Sequence, residues 1–246
     1  MKPILIVKVG TSTLLSHNEA PSATFELVAA SIRALTDSYR IVLVTSGAIG
    51  FGVRHLSLSE RPQDIPSLQA LSMLGQVGLM DRWRVAFGDL PIGQVLITRH
   101  ELSHASDLRL LQRSIEAVWQ YGGLPIVNEN DAVATEEISF GDNDRLAAEV
   151  ALHLDAQALV LLTDQDGIRA DFGTPDEKRL SQVTLAEASR HIVTTQSTVS
   201  RGGAASKLVA AELALGAGVQ VYIAHAATEH SVGAALAGKI GTKIIQ

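Results

Sequence analysis

Cysteine is absent from the 246-residue chain, which excludes a disulfide scaffold, a thiolate metal site and a cysteine nucleophile. The sequence also lacks any block of lysines and arginines, and 20 Lys+Arg stand against 26 Asp+Glu, so a nucleic-acid partner is not indicated. The N-terminus lacks the pattern of a signal peptide, and the longest apolar run, residues 156–163, is too short to span a bilayer. We therefore expect a soluble, cytoplasmic enzyme that acts on small molecules, with no membrane partner.

The chain does contain the alternation that is typical of a mostly parallel sheet covered by helices, and 46% of its residues are apolar, enough for a large core. The predicted strands are residues 4–10, 40–47, 91–98, 124–130, 158–164 and 219–225. The predicted helices are residues 22–39, 67–87, 106–121, 144–154 and 206–217. Residues 167–203 are expected to form irregular loops and short elements. Without a linker or a repeat, the pattern favours one α/β domain over residues 1–246.

Polar and glycine-rich segments follow the predicted strands, where ligands bind in open parallel α/β sheets. These segments are Lys8-Val9-Gly10-Thr11-Ser12, Thr45-Ser46-Gly47-Ala48, Asn128-Glu129-Asn130-Asp131 and Thr163-Asp164-Gln165-Asp166-Gly167. Because the carboxyl ends of parallel strands meet at the same edge of a sheet, these side chains are expected to lie close together.

Lys8 interrupts an apolar strand, so its ammonium group must reach solvent or an anion. Gly10 and the hydroxyl residues after it leave backbone N–H groups open to a phosphate. The alternative for Lys8 is an ordinary strand-end lysine that extends to water. The alternative for Ser46-Gly47 is an ordinary cap between a strand and a helix.

A carboxylate and a second lysine lie further along the chain. Asp144 opens a predicted helix together with Asn143, and a helix cap would explain one acidic residue there. Lys207 follows Gly202-Gly203 and is placed in the first turn of the last long predicted helix. A cation is disfavoured there, so either an anion lies nearby or the lysine is an exposed surface residue. Two lysines near glycine segments, with a carboxylate between them, favour phosphoryl transfer.

Common nucleotide and metal motifs are not present. The sequence has no G-x-x-x-x-G-K-[ST] loop, no G-x-G-x-x-G turn and no complete EF-hand loop. The eight histidines show no paired ligand spacing, so no metal-ligating residue is predicted.

The motifs together resemble the amino acid kinase family. They are Val7 to Ser12, Val44 to Ile49, Asn128 to Val133, Gly141 to Asp144 and Leu162 to Asp164. The Asn-Glu-Asn-Asp-Ala-Val and Gly-Asp-Asn-Asp segments are similar to those of the family members that phosphorylate glutamate. The resemblance implies a three-layer αβα sandwich with a mostly parallel central sheet. It also implies ATP-dependent phosphorylation of the side-chain carboxylate of L-glutamate, the first step of proline biosynthesis.

The resemblance also implies roles for individual residues. Lys8 and Lys207 would neutralise the transferring phosphoryl group, and Asp144 would hold both lysines. Glutamate would be bound by Ser46, Gly47, Asp131 and Asn143, with Asp131 facing its α-ammonium group. ATP would be bound by Lys8, Gly10, Thr11, Thr163, Asp164, Arg201, Gly202, Gly203, Ala204, Ala205, Ser206 and Lys207. Mg²⁺ would bridge the β- and γ-phosphates with few direct protein ligands. The amino acid lobe would cover about residues 1–155 and the ATP lobe about 156–246.

Two segments depart from the family pattern. Ser200-Arg201-Gly202-Gly203-Ala204 replaces the usual Gly-Thr-Gly-Gly-Met, and Ile168-Arg169-Ala170-Asp171-Phe172 replaces Leu-Tyr and an Asp-Pro-Arg segment. Both departures fall on the nucleotide side. Many members of the family carry a further C-terminal domain, the PUA domain, which is not expected in this sequence.

The family resemblance further implies a homo-oligomer, either a dimer or a tetramer, feedback inhibition by proline and a functional link to glutamyl phosphate reductase. Residues 54–66 are the predicted mobile segment near the amino acid. Two other functions stay open: a kinase for another amino-acid or N-acyl amino-acid carboxylate, and a non-catalytic amino-acid sensor. A sensor would have no need for two phosphate-facing lysines.

Overall fold

The structure is a computed structural model that describes residues 1–15, 21–133, 143–171, 173–194 and 201–246. The strands are β1 Ile4–Val9, β2 Arg40–Val44, β3 Ile92–Ile97, β4 Leu124–Glu129, β5 Ala158–Thr163, β6 Arg169–Ala170, β7 Lys178–Arg179, β8 Gln182–Thr184, β9 Gln220–His225 and β10 Thr242–Ile245. The helices are α1 Thr11–Leu14, α2 Pro21–Arg33, α3 Ala48–His55, α4 Ile65–Phe87, α5 Arg99–Ser103, α6 Ala105–Gln120, α7 Asn143–His153, α8 Leu185–Thr194, α9 Arg201–Gly216 and α10 Ser231–Leu236.

An eight-stranded sheet in the order β3-β4-β2-β1-β5-β9-β10-β8 forms the centre of the fold. Its pairs from β3 to β9 are parallel, β10 runs antiparallel to β9, and β8 runs parallel to β10. The chain leaves β1 toward β2 on one side, and β5 later adds on the other side of β1. The order of the strands therefore reverses beside β1, and such a point is where α/β sheets bind ligands.

Buried side chains from alternate positions of β1 point to opposite faces of the sheet. Leu5 and Val7 belong to a hydrophobic cluster with α2, α4 and α10, whereas Ile4 and Ile6 belong to a second cluster with α7 and α9. The period of two residues puts Lys8 on the same face as Ile4 and Ile6. The predicted three-layer αβα sandwich is thus confirmed, and the layer that covers Lys8 contains α7 and α9.

All the predicted strands are present within one to three residues of their predicted ends. The predictions missed α3, whose two glycines lower its helix propensity. A Cβ on Gly52 would overlap the backbone of Leu71, and one on Gly75 would overlap the carbonyl oxygen of Ala48. Close packing against α4 therefore stabilises α3. Helix α8 also forms within the region predicted to be irregular, and β10 was not predicted.

Within the described parts of the chain, no helix is both long enough and apolar enough to cross a membrane.

Candidate active site

The Nζ atom of Lys8 forms an ion pair with Oδ1 of Asp144, and both residues are almost fully buried, at 3% and 1% exposure. Lys8 is the fifth residue of β1, and Asp144 lies in the first turn of α7, which packs on the same face of the sheet. The buried lysine at the strand end therefore has an anionic partner, and the alternative of a lysine that extends to water is excluded.

The other oxygen of the Asp144 carboxylate binds two groups from α9. Lys207 Nζ lies 3.1 Å from Oδ2, and Ser206 Oγ donates a hydrogen bond of 2.8 Å to the same atom. Burial raises the pKa of Asp144, but the charges of Lys8 and Lys207 outweigh it and hold the pKa below its usual range. Asp144 is therefore ionised at neutral pH and brings two cations together.

Lys207 does not lie where the sequence placed it. Helix α9 begins at Arg201 rather than Ser206, so Lys207 is in the second turn and not the first. Ala204 and Ala205 are strong helix formers, and the helix continues through the glycines before them. The predicted loop from Arg201 to Lys207 is helical, and the side chains of Arg201 and Ala204 lie outside the described residues. Lys207 also donates to the carbonyl oxygen of Gly203 at 3.1 Å.

Gly10 follows β1 and lies directly beside the Lys8 ammonium group. A Cβ at this position would be 3.3 Å from Lys8 Nζ, closer than side chains normally pack. Thr11 then begins the short helix α1. The absence of a side chain at Gly10 leaves space next to the ammonium group, as a phosphate oxygen would need.

The end of β2 contacts the same region. Ser46 Oγ donates to the carbonyl oxygen of Val9 at 3.3 Å, which joins the ends of β2 and β1. Gly47 has a φ of 111°, a left-handed conformation that favours glycine, and it is the N-cap residue that precedes α3. Asn143 donates through Nδ2 to the carbonyl oxygen of Thr45 at 2.5 Å. These contacts bring the predicted glutamate residues Ser46, Gly47 and Asn143 together beside Asp144.

Asp131 follows β4 and is buried at 8% exposure. Burial raises its pKa to about 6, although the charge of Arg61 opposes the shift. Arg61, whose charge acts on Asp131, belongs to the predicted mobile segment 54–66. The position of that segment near the amino acid stays a prediction. A buried carboxylate with a raised pKa is a site where a cationic group would bind favourably.

Thr163 and Asp164 lie at the end of β5, the strand that pairs with β1. Thr163 donates from Oγ1 to Asp164 Oδ1 at 3.0 Å, and the Asp164 side chain is exposed. Ser206, predicted as a nucleotide contact, donates to Asp144 Oδ2 at 2.8 Å, and its contact with a nucleotide stays a prediction. The structure therefore gives Ser206 a role in holding the carboxylate.

Sequence reasoning placed Asn128 and Thr45 in the polar segments at the strand ends but gave them no individual role, and it missed Gln76 and Trp83 as parts of this site. Asn128 is a buried polar residue at the end of an apolar strand, the same signal that singled out Lys8. Trp83 is fully buried in the core, and it also donates from Nε1 to Thr45 Oγ1 at 3.1 Å. The sequence around Gln76 gave no indication of a buried functional residue, because a glutamine in a long helix usually faces solvent.

The described residues contain no group of three or more His, Cys, Asp or Glu side chains that could hold a metal ion.

Solved structures of other proteins superpose on almost the whole chain. Carbamate kinase from Giardia lamblia bound to AMP-PNP superposes with a TM-score of 0.70 at 16% identity, over 99% of this chain and 98% of that one. UMP kinase from Ureaplasma parvum gives 0.66 at 13% identity, over 100% of both chains. The model of the amino acid kinase family matches residues 3–225. The chain belongs to the amino acid kinase family, so the kinase prediction is confirmed.

The curated relatives that it matches include glutamate 5-kinases. The chain is 41% identical over 251 residues to that of Gloeobacter violaceus, a match that covers 97% of this chain and 67% of the relative. It is 38% identical over 224 residues to that of Thermus thermophilus, over 89% of this chain and 60% of the relative. The chain thus spans about two thirds or less of these two relatives.

Proposed function

We propose that this chain is a glutamate 5-kinase domain, which transfers the γ-phosphoryl group of ATP to the side-chain carboxylate of L-glutamate and releases L-glutamyl 5-phosphate. The observation that carries the proposal is the pair of lysines, Lys8 and Lys207, on the two oxygens of the buried Asp144 carboxylate. Two positive charges and one negative charge leave a net charge of about +1 on this group of three side chains. This surplus favours the negative charge that accumulates during phosphoryl transfer.

The reaction requires no general base. A carboxylate oxygen of glutamate attacks the γ-phosphorus, the bond from phosphorus to the bridging oxygen of ADP breaks, and no proton has to leave the nucleophile. The side chains around Asp144 accordingly provide charge and position rather than an acid–base pair. Asp144 serves as a positioning residue that holds the two cations in place.

The amino acid is bound at the ends of β2 and β4. Asp131 supplies a carboxylate for the α-ammonium group of glutamate, and a bound cation would offset the cost of burying the charged form of that carboxylate. Asn143 Oδ1 is buried and has no hydrogen-bond partner among the described residues, so it is available to accept from the same group. Ser46 and Gly47 complete the pocket.

The nucleotide is bound on the other side of β1. Gly10 and Thr11 take the phosphates beside Lys8, and Thr163, Asp164 and the start of α9 form the rest of the site. Residues 1–155 then form the amino acid lobe and residues 156–246 the ATP lobe. The supporting observation is that Lys8 and Asp144 lie at the junction of these two parts of the sheet.

Magnesium fits this arrangement as an ion carried by the nucleotide. Both Asp144 oxygens already bind cations or a hydroxyl group, so this carboxylate is not free to act as a metal ligand. Mg²⁺ bound to the β- and γ-phosphates would supply further charge neutralisation and retain much of its water. The exposed carboxylate of Asp164 is the candidate to hold one of those waters.

Three further properties belong to the proposal. Exposed Met73, Leu74 and Val77 on α4 form an apolar surface that a second copy of the chain would cover in a homo-oligomer, which light scattering would detect. Proline would inhibit by competing near the glutamate site. An acyl phosphate hydrolyses readily, so a glutamyl phosphate reductase acting on the product is the expected functional partner. A cytoplasmic location stays a prediction from the sequence.

The direct test is formation of a hydroxamate from ATP, Mg²⁺, hydroxylamine and glutamate by the purified protein. Lys8→Met serves as the inactive control, because it removes one charge from the site. Glutamate-dependent product in the wild type alone supports the proposal. Product with aspartate or an N-acyl amino acid instead would assign the chain to another carboxylate kinase, and ligand binding without any product would assign it to a sensor.

A further inference from the structure

A row of four carboxamide side chains crosses the amino acid lobe from the surface to the active site. Asn143 Nδ2 donates to Asn128 Oδ1 at 2.7 Å, and Asn128 Nδ2 donates to Gln76 Oε1 at 2.8 Å. Gln76 Nε2 then donates to Gln94 Oε1 at 3.2 Å. Asn143 and Asn128 are each 2% exposed and Gln76 is 9% exposed, whereas Gln94 on β3 is exposed. The row therefore begins in a water-excluded site and ends in solvent.

Two backbone groups at the buried end set the direction of every hydrogen bond in this row. The carbonyl oxygen of Thr45 can only accept, so it requires the Nδ2 atom of Asn143. The N–H group of Glu129 donates to Asn128 Oδ1 at 3.0 Å, so Asn128 must present oxygen on that side. Asn128 Nδ2 must then find an acceptor elsewhere, and Gln76 Oε1 is that acceptor.

The same constraints decide what Asn143 presents to a ligand. Its Nδ2 atom is used twice, by Thr45 and Asn128, and its Oδ1 atom is buried with no hydrogen-bond partner among the described residues. An unpaired buried acceptor is costly, and a bound donor would relieve the cost. An ammonium group is such a donor.

We infer that Gln76 is a positioning residue of the amino acid site, which holds the Asn128 carboxamide so that Asn143 presents Oδ1 to the ammonium group of the bound amino acid. The inference rests on the proposed function for the identity of that ligand. Gln76 acts through its acceptor atom and does not touch the substrate. Loss of that acceptor leaves Asn128 Nδ2 buried and unpaired, so the Asn128 side chain is no longer held in place as one of the two acceptors for Asn143 Nδ2.

The test compares three variants that interrupt the row at different points. Gln76→Leu removes the acceptor and the donor with little change in volume. Gln76→Glu keeps an acceptor for Asn128 and loses only the donor to Gln94, whose exposed amide can turn to donate instead. Gln94→Ala shortens the row at its solvent end. The measured quantities are KM for glutamate, KM for ATP and kcat, in the full chain at a temperature where each variant is folded.

Gln76→Leu is expected to raise KM for glutamate about tenfold, the size of one lost buried hydrogen bond, with KM for ATP within about twofold. Gln76→Glu and Gln94→Ala are expected to stay within about threefold of the wild type. If Gln76→Leu does not fold, Gln76→Met takes its place with the same expectation. An unchanged KM for glutamate in Gln76→Leu, or an equal rise in Gln76→Glu, would overturn the inference, because a purely structural role would not separate these two variants.

Failure of the proposed function gives a different result. A wild-type protein that forms no product from glutamate but acts on another amino acid refutes the proposed substrate. The variants are then measured with that amino acid, whose ammonium group would donate a hydrogen bond to the same Oδ1 atom of Asn143. The positioning role of Gln76 is thereby tested in either case.

Discussion

Lys207 Nζ lies 3.1 Å from Asp144 Oδ2, although the two residues are 63 positions apart in the chain. The contact joins the second turn of α9 to the first turn of α7, and the remaining carboxylate oxygen pairs with Lys8 on the central strand. One buried carboxylate therefore holds one cation from the central strand β1 and one from the helix α9. The position of Asp144 determines the distance between the two positive charges that the proposed reaction uses.

Replacement of either lysine by methionine is expected to lower kcat about 10²–10³-fold, because each ammonium group neutralises charge that develops during transfer. Lys239→Met is the matched control, since Lys239 is exposed and follows α10, which packs on the face of the sheet opposite to Lys8. The hydroxamate assay at saturating glutamate and ATP measures the effect. Equal rates for Lys8→Met, Lys207→Met and Lys239→Met would contradict the proposed role.

Asp144→Asn is expected to destabilise the fold by about 3–5 kcal/mol at pH 7, because it leaves two cations without their buried partner. Since the pKa of Asp144 lies below 3.8 in the folded protein, its contribution is fully present above pH 3.8 and is lost as the pH falls through the lower folded value. Urea unfolding of the wild type and the variant between pH 7 and pH 3 tests this. The gap between their unfolding free energies should shrink only below pH 4, and a constant gap would argue against the pairing.

Asp131 is expected to make glutamate binding depend on pH. Its pKa is raised by burial to about 6, so the carboxylate that pairs with the α-ammonium group is protonated below that pH. The kcat/KM for glutamate should fall as the pH drops through 6, whereas Asp131→Asn should be low and show less of this dependence. Any titration of ATP is common to both proteins and cancels in their ratio. A ratio that stays the same from pH 5 to pH 8 would refute the assignment.

The raised pKa of Asp131 affects the stability of the fold in the opposite direction to the lowered pKa of Asp144. Its folded pKa lies above the unfolded value of 3.8, so its favourable contribution is present below pH 3.8 and is lost as the pH rises through 6. Asp131→Asn should therefore be more stable than the wild type at pH 8 and lose that advantage at pH 4. Thermal unfolding at the two pH values measures the change, and the same difference at both would contradict it.

Gly75→Ala is expected to destabilise the protein by about 1–3 kcal/mol and to raise KM for glutamate, because the new Cβ would push α3 and the Ser46-Gly47 segment away from α4. Gly78→Ala is the control on the same helix. Its Cβ would lie 3.4 Å from Phe51 Cδ1, an ordinary contact, so the better helix propensity of alanine should leave stability equal or slightly higher. Similar unfolding temperatures for the two variants would show that α3 does not depend on this contact.

The sequence pointed to Lys207 for an incorrect reason. The prediction placed it in the first turn of a helix, where the helix dipole would require a nearby anion, but α9 begins at Arg201. The anion exists, yet it is Asp144 on another helix, and the dipole of α9 does not explain it. Helix ends depend on weak local preferences, so the start of α9 was the least secure part of that argument.

The local sequence determined where the strands lie and on which face of the sheet Lys8 lies. The reason is that the two-residue alternation of β1 specifies which side chains enter each layer. The motifs at the strand ends likewise identified Ser46 and Asp131, and the segment that opens α7 identified Asn143 and Asp144, before any contact was known. No sequence motif indicated the hydrogen bond between Asn128 and Gln76, which are 52 residues apart. Its geometry depends on how α4 lies across the sheet, and close packing of Gly52 and Gly75 brings α3 against α4 in a way that no local pattern specifies. Contacts within a strand follow from periodicity, whereas hydrogen bonds between layers depend on the packing of whole elements.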